Sequence, residues 1–226
     1  PHSGAAVVSA TMEKACLVTG KSSDLLAEVV NEADSRGRKT LVARSGALEV
    51  PTSSDRINTI TWNRRSALSA RSVALHAQNL YGRLDEALIV FSPVRETIPF
   101  HESSIVSIEN RTDAEVKGYL FLIREIMACF QKQREGLLLI AVQDYEGEVR
   151  SPLEAMSLGG FLSAAEALQR YYQNEPVDVR LCYSRAEDPA GYATYILDVL
   201  DAPRPRRSRT EWQRYATRGR LFSRGS

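Results

Sequence analysis

Apolar residues recur along this chain in two rhythms that take turns. Short, almost unbroken apolar runs at 15–19, 40–43, 57–62, 87–91, 137–142 and 177–183 read as strands buried on both faces. Between them lie stretches with a period near 3.6, at 25–35, 67–81, 114–133 and 152–172, which predict helices. In the third helix the stripe is Val116, Tyr119, Ile123, Ile126, Met127 and Phe130. In the fourth it is Leu158, Phe161, Leu162, Ala165 and Leu168. Gly20 makes the turn out of the first strand, and Gly37 closes the first helix. Strands that alternate with helices of this length need right-handed crossovers. The prediction is a Rossmann-like, doubly wound parallel sheet in a single α/β domain.

The length of 226 residues suits one such domain with a full core. The domain is expected over 14–201, after a lead at 1–13 that reads as disordered or as an expression-vector remnant, with no basic stretch of the kind that starts a signal peptide. The net charge of +1 hides an asymmetry: residues 202–226 carry eight arginines and one acid, Glu211, while the body before them is net acidic. Trp212, Tyr215 and Ala216 could share one face of a helix capped by the Thr210-x-x-Gln213 box, and no seventh strand is apparent. The basic C-terminal extension is therefore expected to dock on its own acidic body or on a second subunit. Contact with nucleic acid is the less favoured reading. Cys16, Cys129 and Cys182 are widely spaced within apolar runs, the pattern of reduced core thiols. No apolar run reaches membrane-spanning length, and the expected location is cytoplasmic.

Chemistry-bearing residues are sparse. His2, His76 and His101 have no partners at metal-ligand spacing, and no metal site is expected. A Ser/His/Asp hydrolase would need a G-x-S-x-G elbow that is missing. The acidic residues Asp144, Glu146 and Glu148 read as a solvated turn, and Tyr145 as a surface tyrosine. The segment 19–26, TGKSSDLL, lies between the first strand and the first helix, where backbone amides can meet a phosphate. Its Asp24 would cap the helix, and its Lys21, Ser22 and Ser23 suit a phosphate.

In frame and spacing, 14–200 resembles the short-chain dehydrogenase/reductase family. TGKSSDLL is similar to the family's TGxxxGxG loop: Thr19 and Gly20 match, while Asp24 and Leu26 stand at the second and third glycines. SRGRKTLVARS (35–45) resembles the family's second strand and cofactor-selecting turn. GRLDEALIVFSP (82–93) resembles the strand that ends in NNAG, EVKGYLFLIREIM (115–127) the Asn-Val-x-Gly helix, and GLLLIAV (136–142) the strand ending in the catalytic serine. SPLEAMSLGGF (151–161) falls where the YxxxK helix belongs.

Carried across residue by residue, the Asn of the family's tetrad falls on Glu115, and the Ser on Val142, or on Gln143 if the frame slips by one. The Tyr falls on Ser151 and the Lys on Ala155. NNAG becomes Phe91-Ser92-Pro93-Val94, and the Pro-Gly after the sixth strand becomes Ser184-Arg185. Ser151 cannot replace a tyrosine acid, because its hydroxyl pKa is far too high and Ala155 brings no charge to lower it. For a cofactor, the resemblance implies Gly20, Lys21, Ser22 and Ser23 at the phosphates. It also implies Arg44 and Ser45 where NADP-selecting members hold the 2′-phosphate, and Asn63 near the adenine.

The sequence alone favours a non-catalytic member with no cofactor, acting as an interaction, scaffold or regulatory module with an unidentified protein partner. A homodimer is expected through the helices at 114–133 and 152–172. The alternatives are a divergent NADP-dependent oxidoreductase and a polyanion contact made by the tail.

Overall fold

A computed structural model describes residues 13–45, 54–95, 97–145, 150–204 and 211–216. The six predicted strands are β1 (Ala15–Lys21), β2 (Lys39–Ser45), β3 (Ile57–Thr61), β4 (Glu86–Phe91), β5 (Gly136–Gln143) and β6 (Val177–Ser184). A seventh, β7 (Trp212–Tyr215), joins them. All pair in parallel, in the order β3-β2-β1-β4-β5-β6-β7. Chain direction across the sheet reverses between β1 and β4. In open α/β sheets, ligands bind outside the carboxyl ends of the strands at that point.

Side-chain alternation divides the core in two. Leu17, Ala87, Ile89, Phe91, Leu138, Ile140 and Val142 face α2 (Ala67–Tyr81), α4 (Gly118–Gln133) and α5 (Pro152–Tyr171). Cys16, Val18, Leu88, Val90, Leu139 and Ala141 face α1 (Asp24–Ser35) and α6 (Pro189–Asp201). Every residue of β4 is buried, as a central strand covered on both faces must be. A serine or aspartate starts most helices: Ser23, Ser66, Ser151 and Asp188 each accept a backbone N–H of the first turn.

The structure corrects several expectations. The helix expected at 114 begins earlier, as α3 (Ile105–Thr112) followed by a π-helical turn (Asp113–Lys117). Nothing on α3 is buried, so it leaves no apolar stripe to read. The segment of Trp212 and Tyr215 is a strand and not a helix face. Backbone pairing of Leu181 with Trp212 and of Ser184 with Tyr215 outweighs a weak helical pattern. Thr210 and most of the arginines of the tail lie outside the described residues. Ser23, rather than Asp24, caps α1: its Oγ accepts the Leu26 N–H at 3.2 Å, and Asp24 is exposed.

Candidate functional site

Three strand ends and three helices converge at the carboxyl edge of the sheet. β1 delivers Gly20 and Lys21. A Cβ on Gly20 would lie 2.5 Å from the Val90 carbonyl oxygen on β4, so only glycine fits this close approach. Lys21, Ser22 and Ser23 follow, all half-buried. β2 delivers Arg44, in register with Gly20 and Thr61, and then Ser45, whose Oγ is buried without a hydrogen-bond partner. β4 delivers Phe91 and Ser92, and the Ser92 Oγ is likewise buried without a partner.

The loop after β3 shapes the next wall. A Cβ on Gly118 would lie 2.1 Å from the Arg64 carbonyl oxygen, so glycine at the head of α4 lets this loop cross the helix. That crossing brings the Arg64 guanidinium carbon 5.9 Å from the centre of the Tyr119 ring. Asn63 is exposed. Its Oδ1 accepts the Arg65 N–H at 3.1 Å and its own N–H donates to Ser69 Oγ at 2.9 Å, so it shapes the loop.

Glu115 sits on the π-helical turn and is 3 % exposed. π-Helical turns inside α-helices recur at functional sites. Arg111 Nε approaches Glu115 Oε2 at 3.5 Å, and Arg111 also donates to the Val94 carbonyl. Burial raises the Glu115 carboxyl pKa, against the pull of Arg111, the Ser157 hydroxyl and Arg64. Burial lowers the Lys21 ammonium pKa; Glu115 opposes this, while Arg64 and Arg111 add to it. Glu115 Oε2, Ser157 Oγ, Tyr119 Oη and Trp62 Nε1 are all buried without a hydrogen bond of standard geometry. Beneath this polar layer, Tyr119 packs edge-on against Trp62, Phe91 and Phe161.

Of the four tetrad positions, the structure brings only Glu115 into this cluster. Val142 lies inside β5 in the core, its carbonyl accepting the Tyr192 hydroxyl at 3.1 Å. Ser151 spends its hydroxyl on the Glu154 N–H as the cap of α5, and Ala155 is exposed. The α5 residues turned toward Glu115 and Phe91 are Ser157 and Phe161. Arg64, Arg111 and Ser157 were not singled out from the sequence, and Tyr119 only as part of the apolar stripe. A signal existed for Ser157, a polar residue one helical turn before the apolar stripe position Phe161.

Asp144 reverses another expectation. It is 1 % exposed, pairs with Arg150 and Arg185, and accepts the Tyr183 hydroxyl and the Tyr145 N–H. Two arginines and a phenol recruit this carboxylate into the protein, which a loop sequence does not reveal. Tyr145 carries Arg95 over its ring at 4.5 Å. A cavity of about 530 Å³ opens at the opposite, amino edge of the sheet, lined by Lys39, Arg56, Tyr81 and Arg83. Its three cations already pair with Glu13, Asp34, Asp85 and Glu135, and the unpartnered polar atoms lie at the carboxyl edge instead. Among the described residues no group of His, Cys, Asp and Glu could hold a metal ion, and no helix is long and apolar enough to cross a membrane.

No family model and no curated protein matches the chain. Solved structures do. A short-chain dehydrogenase from Streptomyces avermitilis aligns with a TM-score of 0.73 at 15 % identity, over 90 % of this chain and 89 % of that one. A metagenomic short-chain oxidoreductase in complex with NADP aligns at 0.72 and 12 % identity, over 84 % and 92 %. A short-chain dehydrogenase from Leptospira borgpetersenii with bound NAD+ aligns at 0.65 and 14 % identity, over 76 % and 71 %. The chain has the fold of the short-chain dehydrogenases/reductases.

Proposed function

We propose that this chain is a divergent oxidoreductase of the short-chain dehydrogenase type that binds NAD(P) across the carboxyl ends of β1, β2 and β4. One observation carries the reading. Ser45 Oγ, Ser92 Oγ and Ser157 Oγ are buried hydroxyls without a hydrogen bond of standard geometry, on elements that meet at the edge where the strand order reverses. Each such atom costs about 1–3 kcal/mol. A ligand rich in hydroxyl and phosphate oxygens would satisfy them, which is a fit between these residues and a dinucleotide. Solved proteins of this fold with NAD+ or NADP bound add support.

In this reading Ser22 and Ser23 meet the phosphates at the start of α1, with Gly20 keeping β1 close to β4 beneath them. Arg44 and Ser45 face the adenosine ribose. The bound nicotinamide would supply the hydride. A carbonyl substrate also needs a proton, and the tetrad positions Ser151 and Ala155 offer none at the site. Glu115 is the group placed to hold it: burial favours its protonated form, against the pull of Arg111 and the Ser157 hydroxyl. The test is titration with NADPH and NADH, followed by NADPH oxidation assays over a panel of aldehydes and ketones. Saturable binding with turnover that Glu115→Gln abolishes is the expected result.

A non-catalytic role is the second reading, favoured by the use of Ser151 as a helix cap and by the aromatic fill of Phe91 and Phe161. It expects no turnover with any substrate, and a function residing in surfaces. Leu120 on α4 and Met156 on α5 are more than two-fifths exposed, which suits a homodimer through those helices. Sedimentation of Leu120→Glu against the unaltered chain tests that contact. Cytoplasmic location belongs to the proposal as well, since all three cysteines are free and buried.

A further inference from the structure

The two edges of the sheet are finished differently. β7 is four residues long and carries Arg214, whose guanidinium carbon lies 5.1 Å from the centre of the Tyr183 ring. A charge on so short an edge discourages a further strand. β3 pairs only with β2 and reads Ile57-Asn58-Thr59-Ile60-Thr61, with neither charge nor proline. Arg56, just before it, is already paired with Asp34 at 3.1 Å. The bonds at the two ends of β3 fix its phase. Thr40 N–H donates to the Arg56 carbonyl at 2.9 Å, and Trp62 N–H to the Arg44 carbonyl at 2.7 Å. Asn58 and Ile60 therefore turn their backbone groups to β2, while Ile57, Thr59 and Thr61 turn theirs outward. The Ile57 N–H returns to the Ser54 carbonyl at 3.1 Å. Among the described residues nothing meets the Ile57 carbonyl or the backbone N–H and carbonyl of Thr59 and Thr61, and both threonines are exposed.

We propose that this edge joins two copies of the chain, antiparallel through β3, about a two-fold axis normal to the sheet at Thr59. A row of outward donors and acceptors calls for an extended backbone, and β3 is its own complement. On that axis Thr59 exchanges both backbone bonds with Thr59 of the second copy, and each Thr61 N–H donates to the Ile57 carbonyl of the other. Side chains then meet as Thr59 with Thr59, Ile57 with Thr61 and Asn58 with Ile60, so no like charges face each other. The pairing omits one outward donor, the Ile57 N–H already held by Ser54, and leaves the Thr61 carbonyl to water. It shares no residue with a contact through Leu120 and Met156, so the two are separable by mutation. It also stands whether or not the chain binds a dinucleotide.

Sedimentation of the full chain over a range of concentrations, with hydrogen exchange read by NMR at the Thr59 and Thr61 amides, tests the pairing. Association should slow exchange at both amides as concentration rises, and Leu120→Glu should leave that protection in place. Thr59→Pro removes a donor that β2 does not use, and Thr59→Lys sets like charges opposite each other. Each should weaken association about tenfold or more while melting close to the unaltered chain at low concentration. Should Thr59→Pro fail to fold, Thr59→Lys carries the test alone. A chain that stays monomeric to millimolar concentration overturns the proposal, as does one that associates with both amides exchanging freely. Association that Thr59→Lys leaves within about twofold of the unaltered chain also overturns it. Protection of both amides at every concentration would place a segment of the same chain on the edge, and the second copy would be the wrong occupant.

Discussion

Phe91, the last residue of β4, lies flat on Phe161 of α5, with ring centres 4.0 Å apart and an angle of 12° between planes. Both rings are at most 3 % exposed and both touch Tyr119. This stack fixes α5 over the sheet just beneath the polar cluster. Phe161→Ala should cost about 3–5 kcal/mol, the usual loss for a large aromatic removed from a core. Denaturant unfolding measures it directly, and a loss under about 1 kcal/mol would mean that α5 is held elsewhere.

At the other end of β4, Glu86 accepts Arg38 Nε and Lys14 Nζ, each at 2.7 Å, and the Arg38 and Glu86 side chains are 4 % and 3 % exposed. Glu86→Ala should destabilise by about 2–4 kcal/mol, because it leaves the buried Arg38 guanidinium with only the half-exposed Asp201 as counter-charge. Urea unfolding of Glu86→Ala beside Lys14→Ala separates the two: the exposed lysine should cost no more than about 1 kcal/mol.

β7 is clipped by side chains as well as by backbone. Tyr215 donates its hydroxyl to Asp188 Oδ2 at 2.6 Å, and Trp212 Nε1 donates to Glu166 at 2.8 Å. The bond to Asp188 raises the Tyr215 phenol from 10.0 to about 12, and the same bond lowers Asp188. A raised phenol gives stability that is complete below pH 10 and lost as pH climbs toward 12. A lowered carboxyl gives stability that is present above its unfolded value and lost as pH falls through the folded one. Unfolding followed from pH 9 to 12 should therefore show an alkaline loss in the unaltered chain that is smaller in Tyr215→Phe. Equal alkaline slopes would show that the clip carries no stability.

Glu115 should reveal its burial in the same way, with the opposite consequence at neutral pH. Its carboxyl is raised above 4.5, so its contribution is present below that value and lost as pH rises through the folded one. Glu115→Gln should melt higher than the unaltered chain at pH 7.5 and level with it at pH 4. If Glu115→Gln melted lower at pH 7.5, the pull of Lys21, Arg64 and Arg111 would outweigh the burial of the carboxylate.

The sheet was legible in the sequence because its central strands are apolar on both faces. Runs such as Ala87–Phe91 and Leu137–Val142 admit no other element between helices of that length. α6 was missed although Asp188-Pro189 is a start signal and Tyr192, Ile196 and Leu200 form a stripe. β7 was missed because it is four residues long and owes its form to pairing with β6. The candidate site was legible only in part. Lys21 ends β1 and Glu115 precedes α4, whereas Gly20 lies within β1 and not in the turn after it. Arg64 enters through the crossing at Gly118, and Ser157 through the rotation of α5. Neither relation is local in sequence. Asp144 was misjudged for the same reason, since its partners Arg150, Tyr183 and Arg185 come from two loops and a neighbouring strand.

Thermal melting of the full chain across a titration of NADPH and NADH addresses the dinucleotide reading with the fewest assumptions. A ligand that binds only the native state stabilises it by about 2.7 kcal/mol at a hundredfold excess over Kd, which is several degrees for a domain of this size. The expected result is a saturable rise in Tm with at least one of the two cofactors, reduced in Lys21→Met. A folded chain whose Tm stays unchanged at millimolar concentrations of both would contradict it.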